Sequence, residues 1–267
     1  MLPQAFLEKA SRYGRLFYFG LWLTSLSTLA AAEIHCPPSR IDARAHVSHV
    51  YDGDTVRLQS GDKVRLIGIN TPEMARDERP AEPLARAARQ ALLKLLQQHE
   101  YQIDLRYGQQ RRDRYGRLLA HAYTPQGESL GTHLLNKGLA SLIAIPPNVH
   151  DLSCYAEAEK MARSSRLGLW GLPNITDSSA LSRHARGFKI VRGKVVRIGE
   201  GRQNLWLNLA GGMALRIDKN DLHWFEPQNP RAFAGKTVIA RGWLYARKGE
   251  QRMRVRHPYS LELMSDE

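Results

Sequence analysis

The stretch HVSHVYDGDTVRLQSGDKVRLIGINTPE, residues 46–73, decides the fold of the first part of the chain. Polar and apolar residues alternate in its first half, and Asp52-Gly53 interrupts them with a dipeptide typical of hairpin turns that need positive φ. A second turn at residues 60–62 precedes another alternating segment, residues 63–69. We therefore predict three consecutive β-strands, followed at residues 70–73 by a turn or a helix start.

The next hundred residues mix helical and strand patterns. We predict a helix at residues 84–98, because its apolar residues share one stripe at helical spacing. Two more strands, joined by a charged connector, and two more helices are expected at residues 101–107, 118–123, 130–137 and 152–166. Five strands with a helix after the third predict a mainly β fold with α additions, a five-stranded oligonucleotide-binding (OB) barrel with helices.

The composition changes after this region. Residues 172–187 are rich in Ser and turn formers, and we interpret them as a linker. Residues 188–267 contain several short strands with glycine-bearing turns, which predict a second small all-β domain, OB-like in architecture. That domain holds 15 Lys and Arg against 8 Asp and Glu, so we expect it to bind nucleic acid.

The N-terminal 32 residues have the pattern of a signal peptide. Three basic residues precede an apolar run at residues 16–30, and three alanines follow it. The run is short for a membrane-spanning helix, although an uncleaved membrane anchor is the alternative. We therefore expect an exported protein, periplasmic or secreted, with a short tail at residues 33–43 before the first domain at residues 44–171.

The composition and the cysteines narrow the class of protein. The 267-residue chain has a formal net charge of +13 and a sequence pI of about 10.0, which points to nucleic acid or an acidic membrane face as partner. A hydrophobic content of 43% argues against wholesale disorder. Cys36 and Cys154 would form one disulfide in an oxidising compartment, and two free thiols are the alternative.

Three short segments carry the chemistry: VYDGDTV (50–56), VRLIGINTPE (64–73) and DRYGR (113–117). In this order and at this spacing they resemble the thermonuclease family, whose type member is staphylococcal nuclease. The resemblance covers about residues 44–171. It extends to GLA (138–140), PPN (146–148) and LGLWG (167–171). It implies a calcium-dependent phosphodiesterase that cuts DNA and RNA, mainly as an endonuclease, favours single strands and leaves 3′-phosphate ends.

The resemblance also implies a set of metal ligands. Asp54 would bind Ca²⁺ directly, with Asp52 close behind it and the backbone carbonyl of Thr71 as a further ligand. From the residues alone, both aspartates could equally be hairpin-turn residues. The family has aspartate where this chain has Asn70, whose amide oxygen can still coordinate calcium but carries no charge. We therefore expect weaker calcium binding than the family pattern implies.

The catalytic roles implied by the resemblance fall on three residues. Glu73 would be the general base that takes a proton from the attacking water, and Arg65 and Arg117 would bind the phosphate oxygens. Asp113 is expected to orient its turn, and Tyr115 to lie near the nucleotide. Without the resemblance, Glu73 is an acid favoured near a helix start and the two arginines are ordinary surface residues.

The second domain offers a less specific pattern. Arg252, Arg254 and Arg256 alternate along a predicted strand and so share one of its faces. With the aromatic residues of this domain they would suit binding of nucleic acid. The alternative is that the aromatics form the core and the arginines protect an edge strand. The aromatic residues in question are Trp206, Trp224, Trp243 and Tyr245.

We expect a monomer that has no obligate protein partner and acts on nucleic acid. One alternative is a nuclease-like barrel that is catalytically weak or inactive and only binds nucleic acid. Retention of Arg65, Glu73 and Arg117 argues against that alternative, because a pure binding module has no need of the base. The other alternative is a membrane-tethered protein, which requires that the N-terminal segment stays uncleaved. Metalloprotease, zinc-finger and phosphate-loop motifs are absent from the sequence.

Overall fold

The three strands predicted within residues 46–73 are present in the computed structural model, which describes residues 33–247 and 249–264. They pair antiparallel in sequence order. Gly53 lies in the first turn, but not at positive φ. It must be small for another reason, because a Cβ there would lie 2.7 Å from Cγ2 of Thr71. The strands are β1 (Ala43–Val50), β2 (Thr55–Leu58) and β3 (Lys63–Leu66).

Two later strands close the first barrel. Its strand order is β1-β2-β3-β6-β5, with β3 parallel to β6 and the other pairs antiparallel. The helix between β3 and β5 packs Leu92 and Leu96, both fully buried, against the barrel core. The predicted five-stranded barrel is therefore confirmed. The added elements are α1 (Ala85–Gln98), β5 (Gln102–Arg112) and β6 (Leu118–Tyr123).

Residues 70–73 do not begin a helix. Asn70 ends the short strand β4 (Ile69–Asn70), which pairs with β7 (Ser141–Leu142). The N–H of Thr71 donates to the carboxylate of Asp54 at 2.7 Å rather than to a backbone carbonyl. The next residue, Pro72, has no N–H to donate, so residues 71–75 continue as irregular backbone.

Two further helices, α2 (Leu130–Asn136) and α3 (Leu152–Ser164), complete the first domain. The chain segments that follow α2 and α3 contact each other. They contain Gly138 and Gly168, which belong to two of the motifs noted above. Both glycines have positive φ, 63° and 51°, and the N–H of Leu169 donates to the carbonyl of Gly138 at 2.8 Å. A Cβ on either glycine would collide with the facing backbone.

The second domain is also a closed barrel of five strands. It repeats the strand order of the first barrel, β9-β10-β11-β13-β12, with β12 returning to pair with β9 and with β11 parallel to β13. Its core is a separate cluster of buried apolar side chains. The predicted second all-β, OB-like domain is thus confirmed. The strands are β9 (Gly187–Glu200), β10 (Asn204–Leu209), β11 (Met213–Asp218), β12 (Thr237–Arg247) and β13 (Glu250–Arg254).

The segment interpreted as a linker is partly built into the second sheet. Its strand β8 (Ile175–Asp177) pairs parallel with β9, and β14 (Leu261–Leu263) pairs antiparallel with β12. Next to β8, the hydroxyl of Ser178 donates to the carbonyl of Ala210 at 2.6 Å. A Ser-rich composition indicates turns. It does not reveal that β9 has backbone N–H and C=O groups available to pair with this segment.

The two barrels lie in one compact unit that begins at Glu33. Arg241 of β12 is 1% exposed and donates to Glu159 of α3 at 2.6 Å. It also pairs with Glu262, which Arg163 of α3 contacts at 2.9 Å. The other carboxylate oxygen of Glu159 accepts from the N–H of Leu142 in β7 at 2.7 Å. A buried charge cluster therefore connects the second barrel to α3 and, through it, to the strand pair that holds Asn70.

A disulfide joins Cys36 of the N-terminal tail to Cys154 of α3, with 6.0 Å between the Cα atoms. The sequence left open either one disulfide or two free thiols, and the structure shows the disulfide. The expected signal peptide, residues 1–32, lies outside the described residues. Within residues 33–247 and 249–264, every helix is too short or too polar to cross a membrane.

Candidate functional site

The hairpin between β1 and β2 holds a buried carboxylate at one end of the first barrel. Asp54 is 5% exposed. One of its oxygens accepts from the N–H and the hydroxyl of Thr71, at 2.7 and 3.1 Å, and the other accepts from the hydroxyl of Thr55 at 3.1 Å. Asp52 stands behind it and accepts from the N–H of Asp54 at 2.9 Å. Burial raises the pKa of Asp52, and the charge of Arg65 opposes that rise.

Arg65 connects this carboxylate to β4. Its neighbours in β3 point into the core, so strand alternation places the guanidinium on the outer face. There it pairs with Asp54 and donates to the amide oxygen of Asn70 at 3.1 Å. The amide nitrogen of Asn70 in turn donates to the carbonyl of Thr71 at 3.3 Å. Burial lowers the pKa of Arg65 to about 10, so the guanidinium remains charged at neutral pH.

The turn between β5 and β6 holds a second guanidinium. One oxygen of Asp113 accepts from Nε of Arg117 at 2.7 Å, and the other accepts from the N–H groups of Tyr115 and Arg117 at 2.9 and 3.0 Å. Burial acts to raise the pKa of Asp113, but these hydrogen bonds outweigh it and the pKa is lowered. Tyr115 is 67% exposed, and the guanidiniums of Arg114 and Arg117 lie 4.7 and 5.5 Å from the centre of its ring.

Glu73 lies in the irregular segment after β4, with its side chain accessible to solvent. Its backbone is held by Glu82, whose carboxylate accepts from the N–H of Glu73 at 3.0 Å and whose N–H donates to the Glu73 carbonyl at 2.9 Å. Partial burial and, next, the charge of Asp52 raise the pKa of Glu73, while Arg65 and Arg117 oppose the rise. Glu82 could not be predicted from the sequence, because its pairing with Glu73 depends on how the intervening loop folds back.

The groups expected at the first site converge. Arg65 lies opposite Leu119 in the ladder between β3 and β6, two residues beyond Arg117, and Glu73 lies two residues after Thr71, which donates to Asp54. The hydrogen bonds described above connect the remaining members to these residues. The set that the structure brings together is Asp52, Asp54, Arg65, Asn70, Thr71, Glu73, Asp113, Tyr115 and Arg117.

The oxygen donors of this set suit a hard cation. The carboxylates of Asp52 and Asp54, the amide oxygen of Asn70 and the carbonyl of Thr71 adjoin one another, and calcium prefers such ligands. Arg65 competes for two of these groups. Among the residues that the structure describes, no three or more His, Cys, Asp or Glu side chains are arranged to hold a metal ion. The kinds of oxygen donor present therefore suit calcium, although only Asp52 and Asp54 among them carry charge.

The three arginines expected to bind substrate in the second barrel share its outer face, while Met253 between them is buried. Two of them are neutralised by a buried carboxylate, because Arg254 and Arg256 each donate to Asp221 at 3.1 Å. The remaining one, Arg252, donates to Glu250 at 2.7 Å. All of these contacts lie within the second barrel, so the arginines do not join the first site.

Comparison with known proteins identifies the same family that the sequence motifs resemble. A family model described as staphylococcal nuclease homologue matches residues 63–171. The thermonuclease of Staphylococcus intermedius is 32% identical over 127 residues, which are 46% of this chain and 74% of that protein. The micrococcal nuclease of Shigella flexneri is 32% identical over 165 residues, 57% of this chain and 88% of that protein. The family match begins after the hairpin of Asp52 and Asp54, which the structure brings to the same site.

Proposed function

Because the chain belongs to the family of staphylococcal nuclease homologues, we propose that it is a calcium-dependent nuclease that hydrolyses phosphodiester bonds in DNA and RNA. The observation that carries the proposal is the convergence of two fixed guanidiniums, one carboxylate and several oxygen donors on the first barrel. The proposed enzyme is a monomer that acts mainly as an endonuclease, favours single strands and leaves 3′-phosphate ends.

Arg65 and Arg117 bind the phosphate in this mechanism. Negative charge builds up on the non-bridging oxygens as water adds to phosphorus, and guanidiniums can grip two such oxygens at once. Asp54 and Asn70 hold Arg65, and Asp113 holds Arg117. The cations are therefore oriented before the substrate arrives, and little reorganisation is required as the charge develops.

Glu73 takes the proton of the attacking water. Its carboxylate is reachable from solvent, and its raised pKa makes it a stronger base than a free glutamate. Glu82 fixes the backbone on both sides of this residue. The role of Glu82 is therefore to position the base rather than to react.

The metal would be held by Asp54, the Asn70 amide oxygen and the Thr71 carbonyl, with Asp52 behind them. A bound calcium ion would supply positive charge that polarises the phosphate. Since Asn70 contributes no charge and Arg65 shares its ligands, the proposed affinity for calcium is lower than that of a site with one more carboxylate.

The experiment measures cleavage of heat-denatured DNA and of RNA by the purified protein, with calcium or with a chelator. We expect cleavage that requires calcium and falls by about 10²–10⁴ in Glu73→Ala. Glu78→Ala is the matched control, since Glu78 is an exposed glutamate of the same loop, and it should cleave normally. Binding without cleavage at every calcium concentration would instead identify a catalytically inactive, nuclease-like binding module.

The end chemistry has its own test. Terminal transferase extends only 3′-hydroxyl ends, so the DNA products should become substrates for it only after phosphatase treatment. Products that are extended directly would contradict the proposed 3′-phosphate ends.

Export is a further part of the proposal. It is supported by the apolar run at residues 16–30 and by the disulfide between Cys36 and Cys154, since disulfides persist in oxidising compartments. N-terminal sequencing of the protein recovered from the periplasm or medium should give a start near residue 33. Recovery of an intact N-terminus in the membrane fraction would favour a tethered protein.

A further inference from the structure

The second barrel presents an arginine on the same face of its third strand as Arg65 does in the first barrel. Each barrel has the same strand order, and β3 and β11 are the third strands. Arg65 and Arg216 each stand between two buried apolar residues of these strands, so both guanidiniums lie on the outer face. In OB barrels the face of the second and third strands, with its flanking loops, is where oligonucleotides bind.

The surroundings of the two arginines differ. Arg65 pairs with Asp54 and Asn70. Arg216 is half-buried, yet within residues 33–247 and 249–264 its side chain forms neither an ion pair nor a hydrogen bond, and its Nε is fully buried without a partner. A partly desolvated cation with no counter-ion is unfavourable. An anionic ligand at this position would therefore stabilise Arg216.

An aromatic ring lies beside this arginine. Trp206 of β10 is directly opposite Arg216 in the ladder between β10 and β11. The guanidinium of Arg252 reaches from β13 across the small Ala214 and lies 4.8 Å from the centre of the Trp206 ring. On the side of β9, a Cβ on Gly201 would come within 3.7 Å of the indole nitrogen. The half-exposed indole is thus framed by a cation on one side and by glycine on the other.

The second barrel carries further exposed arginines, and the only acid next to the hairpin loop, Glu200, is paired with Lys219 and Arg231. In the part of the chain that the structure describes, three exposed arginines of the second barrel form no ion pair: Arg197, Arg202 and Arg247. The hairpin loop after β9, residues 201–203 (GRQ), carries no carboxylate, whereas the corresponding hairpin of the first barrel carries Asp52 and Asp54. We call Trp206, Arg216 and Arg252 the Trp206 patch.

We propose that the Trp206 patch is a second nucleic-acid site, which binds a single strand with one base stacked on Trp206 and phosphate against Arg216, while Arg252, already paired with Glu250, lies against the indole. Bases in a duplex already stack on one another, whereas those of a single strand are free to stack on an aromatic ring. The patch deepens the proposed function, because the strand it holds would be the substrate of the first barrel. It has no group that could act as the base, so its role is binding.

The test uses the full chain in the presence of chelator, so that calcium-dependent cleavage cannot degrade the probe. Fluorescence anisotropy gives the Kd for a labelled oligothymidylate of about 20 nucleotides, longer than a typical single-barrel site. We expect Trp206→Ala to weaken binding about tenfold and Trp206→Phe to restore most of it. Arg216→Ala should weaken binding and reduce the slope of log K against log salt by about 0.7 for each lost phosphate contact.

Two matched controls keep this result specific. Trp243→Ala removes an exposed tryptophan of the same barrel that packs on Phe188. Arg192→Ala also removes one positive charge, but Arg192 is already paired with Asp177. Both should leave the Kd within about twofold, and the thermal unfolding temperature checks that each variant is folded.

The outcomes separate this proposal from the nuclease itself. If calcium-dependent cleavage is absent but Trp206→Ala still loses affinity, the patch stands and the proposed nuclease fails. If Trp206→Ala and Arg216→Ala bind the oligonucleotide like the unaltered protein, the patch is wrong whatever the cleavage assay shows. Vesicles of anionic phospholipid form the last arm. Loss of vesicle binding in these variants, with oligonucleotide affinity unchanged, would overturn the proposal in favour of a lipid surface.

Discussion

The two barrels share one strand order but use their surface charges in opposite ways. In the first, carboxylates in the loops after β1 and β5 hold Arg65 and Arg117 in place. In the second, the loop after β9 has no carboxylate and Arg216 has no counter-ion among the described residues. Acids that fix Arg65 and Arg117 suit the first barrel to chemistry, whereas Arg216, without a counter-ion and opposite an aromatic residue, suits the second barrel to binding. The difference lies in a few loop residues rather than in the backbone.

The strongest test of this comparison is to remove Arg65 from the first barrel and Arg216 from the second. We expect Arg65→Ala to lower kcat on denatured DNA about a thousandfold, or about 4 kcal/mol of transition-state stabilisation. Arg216→Ala should leave kcat within about twofold and raise KM, because it would lose only substrate binding. Steady-state kinetics with Arg192→Ala as the charge control measures both. Similar losses of kcat in the two variants would show that the barrels do not divide the work.

A second prediction concerns whether the barrels are independent. Arg241→Met leaves the buried Glu159 with only the more distant Arg163, at 3.9 Å, and should lower the free energy of unfolding by about 3 kcal/mol. Adding Glu159→Gln should restore part of that loss, because the buried charge is then gone. Urea unfolding of the two single variants and the double variant gives the coupling energy. Strictly additive losses would mean that this contact does not connect the barrels energetically.

Asn70 offers a smaller, opposite change. Asn70→Asp adds a charged oxygen ligand to the first site, so we expect the calcium concentration for half-maximal cleavage to fall about tenfold. Asn208→Asp adds the same charge to the outer face of the second barrel and should leave the calcium requirement unchanged. Titration of cleavage against calcium distinguishes them. An unchanged requirement in Asn70→Asp would remove residue 70 from the proposed ligands.

The smallest effect is on the pH dependence of stability. Burial lowers the pKa of His121 to about 4, with Asp151 opposing and Arg106 and His150 adding to the shift. Between pH 6.5 and 4 the unfolded chain therefore binds more protons at this residue than the folded one. Stability should be full above pH 6.5 and fall as the pH drops, by about 1 kcal/mol per pH unit near pH 6.

Burial also lowers the pKa of a second histidine, His257 of the second domain, to about 4. His121→Gln should reduce the slope of unfolding free energy against pH below 6.5, and His257→Gln should do the same independently. Denaturant unfolding at several pH values measures these slopes. A slope that neither substitution alters would assign the acid sensitivity to other groups.

Much of the fold was predictable because it rests on local patterns. Alternation predicted β1 to β3, and helical spacing predicted α1, since one face of each must be buried. The strand at residues 175–177 was missed, because three residues are too few to show alternation and their partner, β9, follows a further turn. The reason given for Gly53 was wrong, since the constraint comes from Thr71, eighteen residues away in sequence.

The candidate site, like the fold, was predictable only in part. The motifs of the resemblance brought Asp54, Arg65 and Arg117 to attention, and the structure brings them together. The contact of Glu82 with Glu73 could not be predicted, and neither could the neutralisation of Arg254 by Asp221. These contacts depend on loop paths and on strand pairings between distant segments, which residue spacing does not encode.

The disulfide has one more consequence, for resistance to proteolysis. Cys36 and Cys154, 118 positions apart in sequence, close a covalent ring, and the whole first site lies within it. A protease that cuts once in the exposed loop at residues 76–80 would open the ring without releasing a fragment. The nicked chain would keep both pieces attached to the second barrel, and only a second cut or a reductant would separate them.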